Sequence, residues 1–365
     1  MTEQSSVNPE SGAETAVPAS IREARPAPAP LPVEVSLDWP RAWPETGAHG
    51  VLKSVPEDFV VDELPLALPS GQGEHVWLQV EKRNANTAWV AARLAEFAGV
   101  REMDVGYAGL KDRRALTTQW FSLYLPKGET PDFRALNNDE FRILRQSRHE
   151  RKLRRGDLAG NRFVLRLRQV TGAADAIEQN LQAIARNGFP NYFGDQRFGH
   201  DAGNIYSGVA MLRREIRVRN PTRKGLFLSA VRSWVFNQVL AARIRQGNWL
   251  TCLAGEVADA QVPTGPLWGR GRPLVSDLQA GLEQQVLEPL ASICDGLEHS
   301  GLGQERRDLV VRPAGLQWQW QPTGNDTDLV LEFILGPGFY ATALLREVMA
   351  VSEPDHTDSQ EPEAE

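Results

Sequence analysis

The chain is 365 residues long, 41% hydrophobic and 24% charged, with a formal net charge of −7, a composition expected of a globular protein with room for a substantial core. No apolar run approaches the roughly 20 residues that a membrane-spanning helix needs, and the first 36 residues lack the apolar centre of an export signal. Cys252 and Cys294 stand far apart and outside any C-x-x-C spacing, which argues for a reducing compartment, the cytoplasm, and against a zinc site.

Residues 1 to about 45 are rich in Pro, Ala, Glu and Ser and lack hydrophobic periodicity, so they read as a disordered or polyproline-like extension. Strands are expected at Val51–Lys53 and Phe59–Leu64, on either side of a Pro56-Glu57-Asp58 turn. In the second, Phe59 and Val61 are expected to face inward, Asp58 and Glu63 outward. His75–Lys82 is β-rich around Val76, Trp77 and Val80. Asn86 or Thr87 caps a helix in which Val90, Leu94 and Phe97 recur at helical spacing, and Gly99 stops it. Further strands are expected at Trp120–Leu125, Phe141–Leu144 and Phe163–Val170. In the last, Phe163, Leu165 and Leu167 alternate with Arg166 and Arg168, giving one apolar and one basic face. A helix follows with Ile177, Leu181 and Ile184 in register, ended by Gly188. From about Gly194 the character changes: a long helix over Leu226–Arg245, then turns rich in Gly and Pro. Strand signals return at Leu316–Trp320 and Asp328–Leu335, before a short helix over Thr342–Met349. Strands, a different middle, then strands again predict one α+β domain interrupted by an insertion. The tail, residues 352–365, carries six acids and no Lys or Arg.

The negative charge is concentrated at the two ends, which leaves the intervening residues net positive. Arg142–Arg168 alone holds ten Lys or Arg against Glu150 and Asp157. A phosphate backbone feels charge over a Debye length of roughly 8–10 Å, so an acidic total does not exclude RNA as a partner.

The most informative stretch is Gly106–Trp120, GYAGLKDRRALTTQW, in which Asp112 is flanked by Lys111, Arg113 and Arg114. The cations favour an ionised carboxylate and suit a phosphate-bearing partner; the plain alternative is a surface salt-bridge loop ahead of a strand. Lys53 opens the string KSVPEDFVVDE, and is either a solvated lysine at a sheet entry or a member of a site. Asn161 and Phe163 sit in GNRF; Phe163 is either a core ring or a platform for an extruded base, a contact worth roughly 1–3 kcal/mol. NYFGDQRFG (191–199) and GPGFYATALLRE (336–347) complete the set, the latter offering a helix start that could hold a phosphate or simply begin a helix. Gly71-Gln72-Gly73 and the glycines of Gly269–Arg272 lack the rest of a nucleotide-binding fingerprint, and the six histidines show no metal spacing. No metal and no cofactor is expected.

In this order, these strings resemble the motifs of the TruD family of tRNA pseudouridine synthases, over about Val51 to Ala350. The resemblance implies a pseudouridine synthase-type catalytic domain with a mixed, mainly antiparallel sheet, spanning 46–194 and returning at 312–351. An inserted α+β TRUD domain would occupy 195–311, with the extension (1–45) and acidic tail (352–365) outside. It implies that Asp112, in the G-x-K-D-[RK] core, is catalytic. Lys53 would belong to the active site beside it, Asn161 would orient neighbouring groups, and Phe163 would stack on the target base. The cations expected to meet RNA are Lys111, Arg113, Arg151, Lys152, Arg154, Arg155 and Arg197. The implied substrate is uridine 13 of tRNA, handled by a monomer in the cytoplasm with no obligate protein partner and no membrane attachment. A hydrolase of glycosidic bonds would want two spaced carboxylates; the central motif offers one, which favours isomerisation. The rivals are a non-catalytic RNA-binding protein, such as a tRNA folding chaperone, and a synthase acting on another RNA.

Overall fold

The computed structural model describes residues 34–354; residues 1–33 and 355–365, which carry most of the expected extension and acidic tail, lie outside the described residues. The first part runs β1 (His49–Val51), β2 (Phe59–Pro65), β3 (His75–Arg83), α1 (Thr87–Ala98), β4 (Val105–Tyr107), β5 (Leu116–Tyr124), β6 (Phe141–His149), β7 (Leu158–Thr171), α2 (Ala174–Asn187) and β8 (Phe189–Pro190). The middle is mainly helical: α3 (Gly203–Leu212), α4 (Pro221–Arg245), β9 (Thr264–Leu267), α5 (Asp277–Leu287), α6 (Ala291–Glu298) and β10 (Glu305–Asp308). The chain then returns through β11 (Val310–Val311), β12 (Ala314–Thr323), β13 (Asp326–Leu335), α7 (Ala341–Val348) and β14 (Ala350–Ser352). The result is a mixed α/β fold built on a ten-stranded sheet in the order β12-β13-β7-β2-β5-β3-β6, with β1, β4 and β14 attached at its sides. Two pairings in it are parallel, β2 with β5 and β1 with β14; the others are antiparallel. β8 pairs with β11 where the chain leaves for and returns from the helical middle.

Local chemistry explains why these elements form. In α1 the Asn86 side chain accepts from the Ala88 N–H, and Gly99 closes the helix in the left-handed conformation at φ 64°. Val90 and Leu94 on its buried face pack on Val76, Leu78 and Val80 of β3. On β7 the apolar alternation holds: Phe163, Leu165 and Leu167 join one core with Phe333 and the inner face of α2.

The opposite face of β7 is not an open basic surface. Arg162 pairs with Asp62 and Glu332, Arg166 with Asp328, and Arg168 with Asp58. Asp58 and Glu63, expected to point outward, are buried. Glu63 shares the parity of Phe59 and Val61, so the alternation of a strand carries it inward with them. The stretch before residue 46 also departs from the expected extension where it is described. It has no helix or strand, yet Trp39 is buried and stacks on Tyr192 with centroids 5.7 Å apart. The Ala42 and Trp43 N–H groups donate to the Glu347 carboxylate at 2.8 and 3.1 Å. Two aromatic rings dock this stretch, which an average over Pro and Ala does not register. At the other end, Ser352 belongs to β14 rather than to a tail. Among the described residues no helix is long and apolar enough to cross a membrane.

Candidate active site

Asp112 lies on the loop between β4 and β5, and the backbone of that loop is pinned from several sides. Thr87, the first residue of α1, donates its hydroxyl to Gln119 Oε1 and accepts the Lys111 N–H. Gln119 in turn donates to the Gly109 carbonyl. Lys111 Nζ meets the Glu63 carboxylate at 2.5 Å, with both side chains buried, and Glu63 also accepts the Trp120 N–H at 3.1 Å. Lys82, wholly buried, donates to the Asp112 carbonyl at 2.7 Å. With the main chain held, the Asp112 side chain stays 40% exposed and available to a substrate.

Lys53 meets the carboxylate. Its Nζ is 3.7 Å from Asp112 Oδ2 and 2.9 Å from Glu353 Oε1, although the lysine side chain is only 8% exposed. It lies 4.7 Å from the Phe59 ring centroid. Lys53 adopts φ 58°, a conformation unusual for a residue with a Cβ and found where surrounding structure enforces it. Phe59, Phe163 and Phe333 form the floor below. Phe163 stacks on Phe333 at 5.3 Å and meets the edge of Phe59 at 6.3 Å. At 8% exposure, Phe163 takes the core alternative rather than that of an open stacking platform, because its strand parity points it into the sheet's apolar layer. Asn161 stands opposite Glu63 on one side and Leu335 on the other, and its side-chain oxygen is buried with no hydrogen-bond partner among the described residues.

The expected RNA-binding cations divide. Lys111 is committed to Glu63 inside the protein and is not a surface charge, which corrects the expectation for that residue. Arg113, Arg154 and Arg155 are exposed. Arg151 is exposed and pairs with Asp157, while Lys152 donates to the Met103 carbonyl. Leu153 anchors this basic turn: it is buried with Trp77 and Trp120, and its N–H donates to Ser122 Oγ. The Gly156 N–H donates to the Ala108 carbonyl, so residues 151–156 lie against the start of the Asp112 loop. A Cβ on Gly106 would press on the Leu153 carbonyl, which is why the approach needs glycine there.

Arg197 is held by Ser229 Oγ and the Tyr340 hydroxyl at 3.1 and 2.8 Å. Beside it lies Arg307, which the sequence did not single out. Its guanidinium is 4.2 Å from the Phe193 ring centroid and donates to Asn191 Oδ1 and the Gly338 carbonyl. Burial pulls its pKa down to about 10. Arg307 therefore ties the 191–199 string to the 336–347 string, with the Gly338 carbonyl already engaged. Lys82, Thr87 and Glu353 are the other contributors that carried no motif signal of their own, and Glu63 closes the Lys53 string without having been read as a site residue. Among the described residues no group of three His, Cys, Asp or Glu side chains is arranged to hold a metal ion.

A family model described as tRNA pseudouridine synthase D (TruD) matches residues 41–219. The tRNA pseudouridine synthase D of Xanthomonas axonopodis pv. citri is 44% identical over 356 residues, covering 86% of this chain and 95% of that protein. The protein of the same description from Cellvibrio japonicus is 43% identical over 326 residues, covering 88% and 96%. Among solved structures, one described as TruD from Methanosarcina mazei aligns with a TM-score of 0.65 over 85% of this chain and 95% of its own, at 20% identity. At that identity the match speaks to the fold.

Proposed function

The chain belongs to the TruD family of tRNA pseudouridine synthases, and on that premise we propose that it isomerises uridine 13 of tRNA to pseudouridine, with Asp112 as the group that starts the reaction. The observation that carries this reading is a half-exposed carboxylate on a pinned loop, 3.7 Å from the Lys53 ammonium. Breaking and remaking a base–sugar bond needs a carboxylate that can attack the sugar or take a proton from it, and an ammonium at that distance can orient one. Asp112 either attacks C1′ as the N1–C1′ bond breaks, or takes a ribose proton to give a glycal. In both routes the detached uracil turns, bonds through C5, and gives up the C5 proton, while the carboxylate returns to its starting state. Lys53 orients the Asp112 carboxylate. The aromatic floor of Phe59, Phe163 and Phe333 supports the pocket beneath Lys53, and the free oxygen of Asn161 orients neighbouring groups. Arg113, Arg154 and Arg155 meet phosphates near the extruded nucleotide; extrusion costs a few kcal/mol, which such contacts offset. Residues 195–311 form the inserted domain, and the protein works as a monomer in the cytoplasm.

The test is pseudouridine mapping of unmodified tRNA after incubation with wild type and with Asp112→Asn. Conversion at uridine 13 by wild type alone, with tRNA binding kept by the variant, is expected. Conversion at another uridine keeps the chemistry and discards position 13. Activity in Asp112→Asn discards the role of Asp112, and tight binding with no conversion by either protein leaves an RNA-binding function in place of the enzyme.

A further inference from the structure

Lys82 sits in β3, which is paired on both sides, and is wholly buried. Its register neighbours are Thr117 on β5 and Phe141 on β6, neither of which balances a charge. Among the described residues it makes no ion pair. Its Nζ instead donates to three main-chain carbonyls: Asp112 at 2.7 Å, Ala85 at 2.8 Å and Lys111 at 3.5 Å. Burying an ammonium is costly, and an apolar side chain would fill the same place beneath α1. Two of the three acceptors belong to the loop that presents Asp112, and the third to the entry of α1, whose Thr87 holds the same loop. All three donors of the ammonium are spent there.

We propose that Lys82 is a positioning residue for the isomerisation: its ammonium clamps the Lys111 and Asp112 carbonyls and so fixes the direction in which the Asp112 carboxylate faces the ribose. This rests on the reading of Asp112 as the reacting carboxylate. Two lysines then hold one residue, Lys53 at its carboxylate and Lys82 at its main chain.

The clamp has a pH range. Burial pulls the Lys82 pKa from its ordinary 10.5 down to about 8, with Asp112 opposing the shift and Lys111 adding to it. Among the described residues no other charged group acts on the ammonium. α1 offers Asn86 and Thr87, and on β3 itself Arg83 is turned to Glu57, while Glu81 has the opposite strand parity. Above pH 8 the amine keeps two N–H donors for three acceptors and loses its charge. Stability moves the other way. The folded pKa lies below the unfolded one, so between about pH 8 and 10.5 the unfolded chain binds more protons and this group makes folding more favourable as pH rises. Loss of rate without loss of fold in that window separates positioning from a merely structural role.

The experiment is single-turnover conversion of unmodified tRNA by wild type, Lys82→Met and Asp112→Asn between pH 6.5 and 9.5, with tRNA affinity and unfolding followed in parallel. The wild-type rate is expected to fall about tenfold per unit well above pH 8, with the protein still folded. Lys82→Met is expected to lose about 100-fold in rate at pH 7, the scale of a 1 Å misplacement, to bind tRNA as wild type does, and to show no fall near pH 8. A folded Lys82→Met that keeps its rate within about threefold overturns the proposal. If Lys82→Met does not fold, Lys82→Gln takes its place: a folded Lys82→Gln that keeps its rate within about threefold overturns the proposal, and one that binds tRNA as wild type does but loses rate supports it. Asp112→Asn keeps the two ideas apart: activity in that variant sinks the role of Asp112, whereas an inactive Asp112→Asn beside an active Lys82→Met sinks only the clamp.

Discussion

Replacing Lys111 by methionine removes the ammonium from Glu63 while keeping most of the apolar stem in place. Glu63 is 4% exposed. Its Oε2 meets Lys111 Nζ at 2.5 Å and its Oε1 accepts the Trp120 N–H. Without the cation, a buried carboxylate is left with one backbone donor, and breaking a buried pair from one side costs about 3–5 kcal/mol. Adding Glu63→Gln removes the orphaned charge, so the double variant is expected to regain about half of that loss or more. Urea denaturation followed by tryptophan fluorescence measures both, and the salt dependence of tRNA binding supplies the second axis. A cation that neutralises a phosphate contributes about 0.9 to the slope of log affinity against log salt. Since Lys111 points into the protein, Lys111→Met is expected to leave that slope unchanged. A stability loss below about 1 kcal/mol together with a slope lowered by about 0.9 would mean that Lys111 leaves Glu63 for the RNA, against this expectation.

The exposed arginines carry the opposite expectation. Arg154→Gln with Arg155→Gln lowers the salt slope by about 0.9 for each phosphate left without its cation and changes stability by less than about 0.5 kcal/mol, read by filter binding at several salt concentrations beside a urea melt. Phe163→Ala, which empties a ring site between Phe59 and Phe333, is expected to cost about 3–5 kcal/mol in stability, while Phe163→Leu keeps tRNA affinity. A fall of roughly 1–3 kcal/mol in affinity for Phe163→Leu, with the fold intact, would return Phe163 to the role of stacking platform.

What the sequence made legible was local. Asn86 and Gly99 bound a helix by themselves, the alternation through Phe163, Leu165 and Leu167 names its own buried face, and the string around Asp112 carries its cations beside it. What escaped was long-range pairing. Arg166 and Arg168 read as a basic face because their partners Asp328 and Asp58 lie 162 and 110 positions away. Lys82 reads as the polar end of a strand, and what takes up its ammonium is the entry of α1 and the Asp112 loop, about 30 positions on. Glu63 shows a different limit. Its parity with Phe59 and Val61 was in plain view, but the general rule that carboxylates face water outweighed it, and the buried partner that reverses the rule is Lys111, 48 positions on.

The sheet's connectivity explains why Lys53, Asp112 and Glu353 meet at all. A wholly antiparallel sheet would place the residues preceding two adjacent strands at opposite ends. Here β2 and β5 run parallel, with Val60 beside Leu116, so the segments leading into both strands, carrying Lys53 and Asp112, emerge at the same end. The other parallel pair, β1 with β14, sets Val51 beside Ser352, and the Leu52 N–H donates to the Ser352 carbonyl. The next residue of each strand's exit is then a neighbour of the other's, and Glu353 arrives at the Lys53 ammonium. Two departures from antiparallel pairing thus bring three charged side chains from positions 53, 112 and 353 to one point. Lys53 is shared between two carboxylates there, 2.9 Å from Glu353 and 3.7 Å from Asp112.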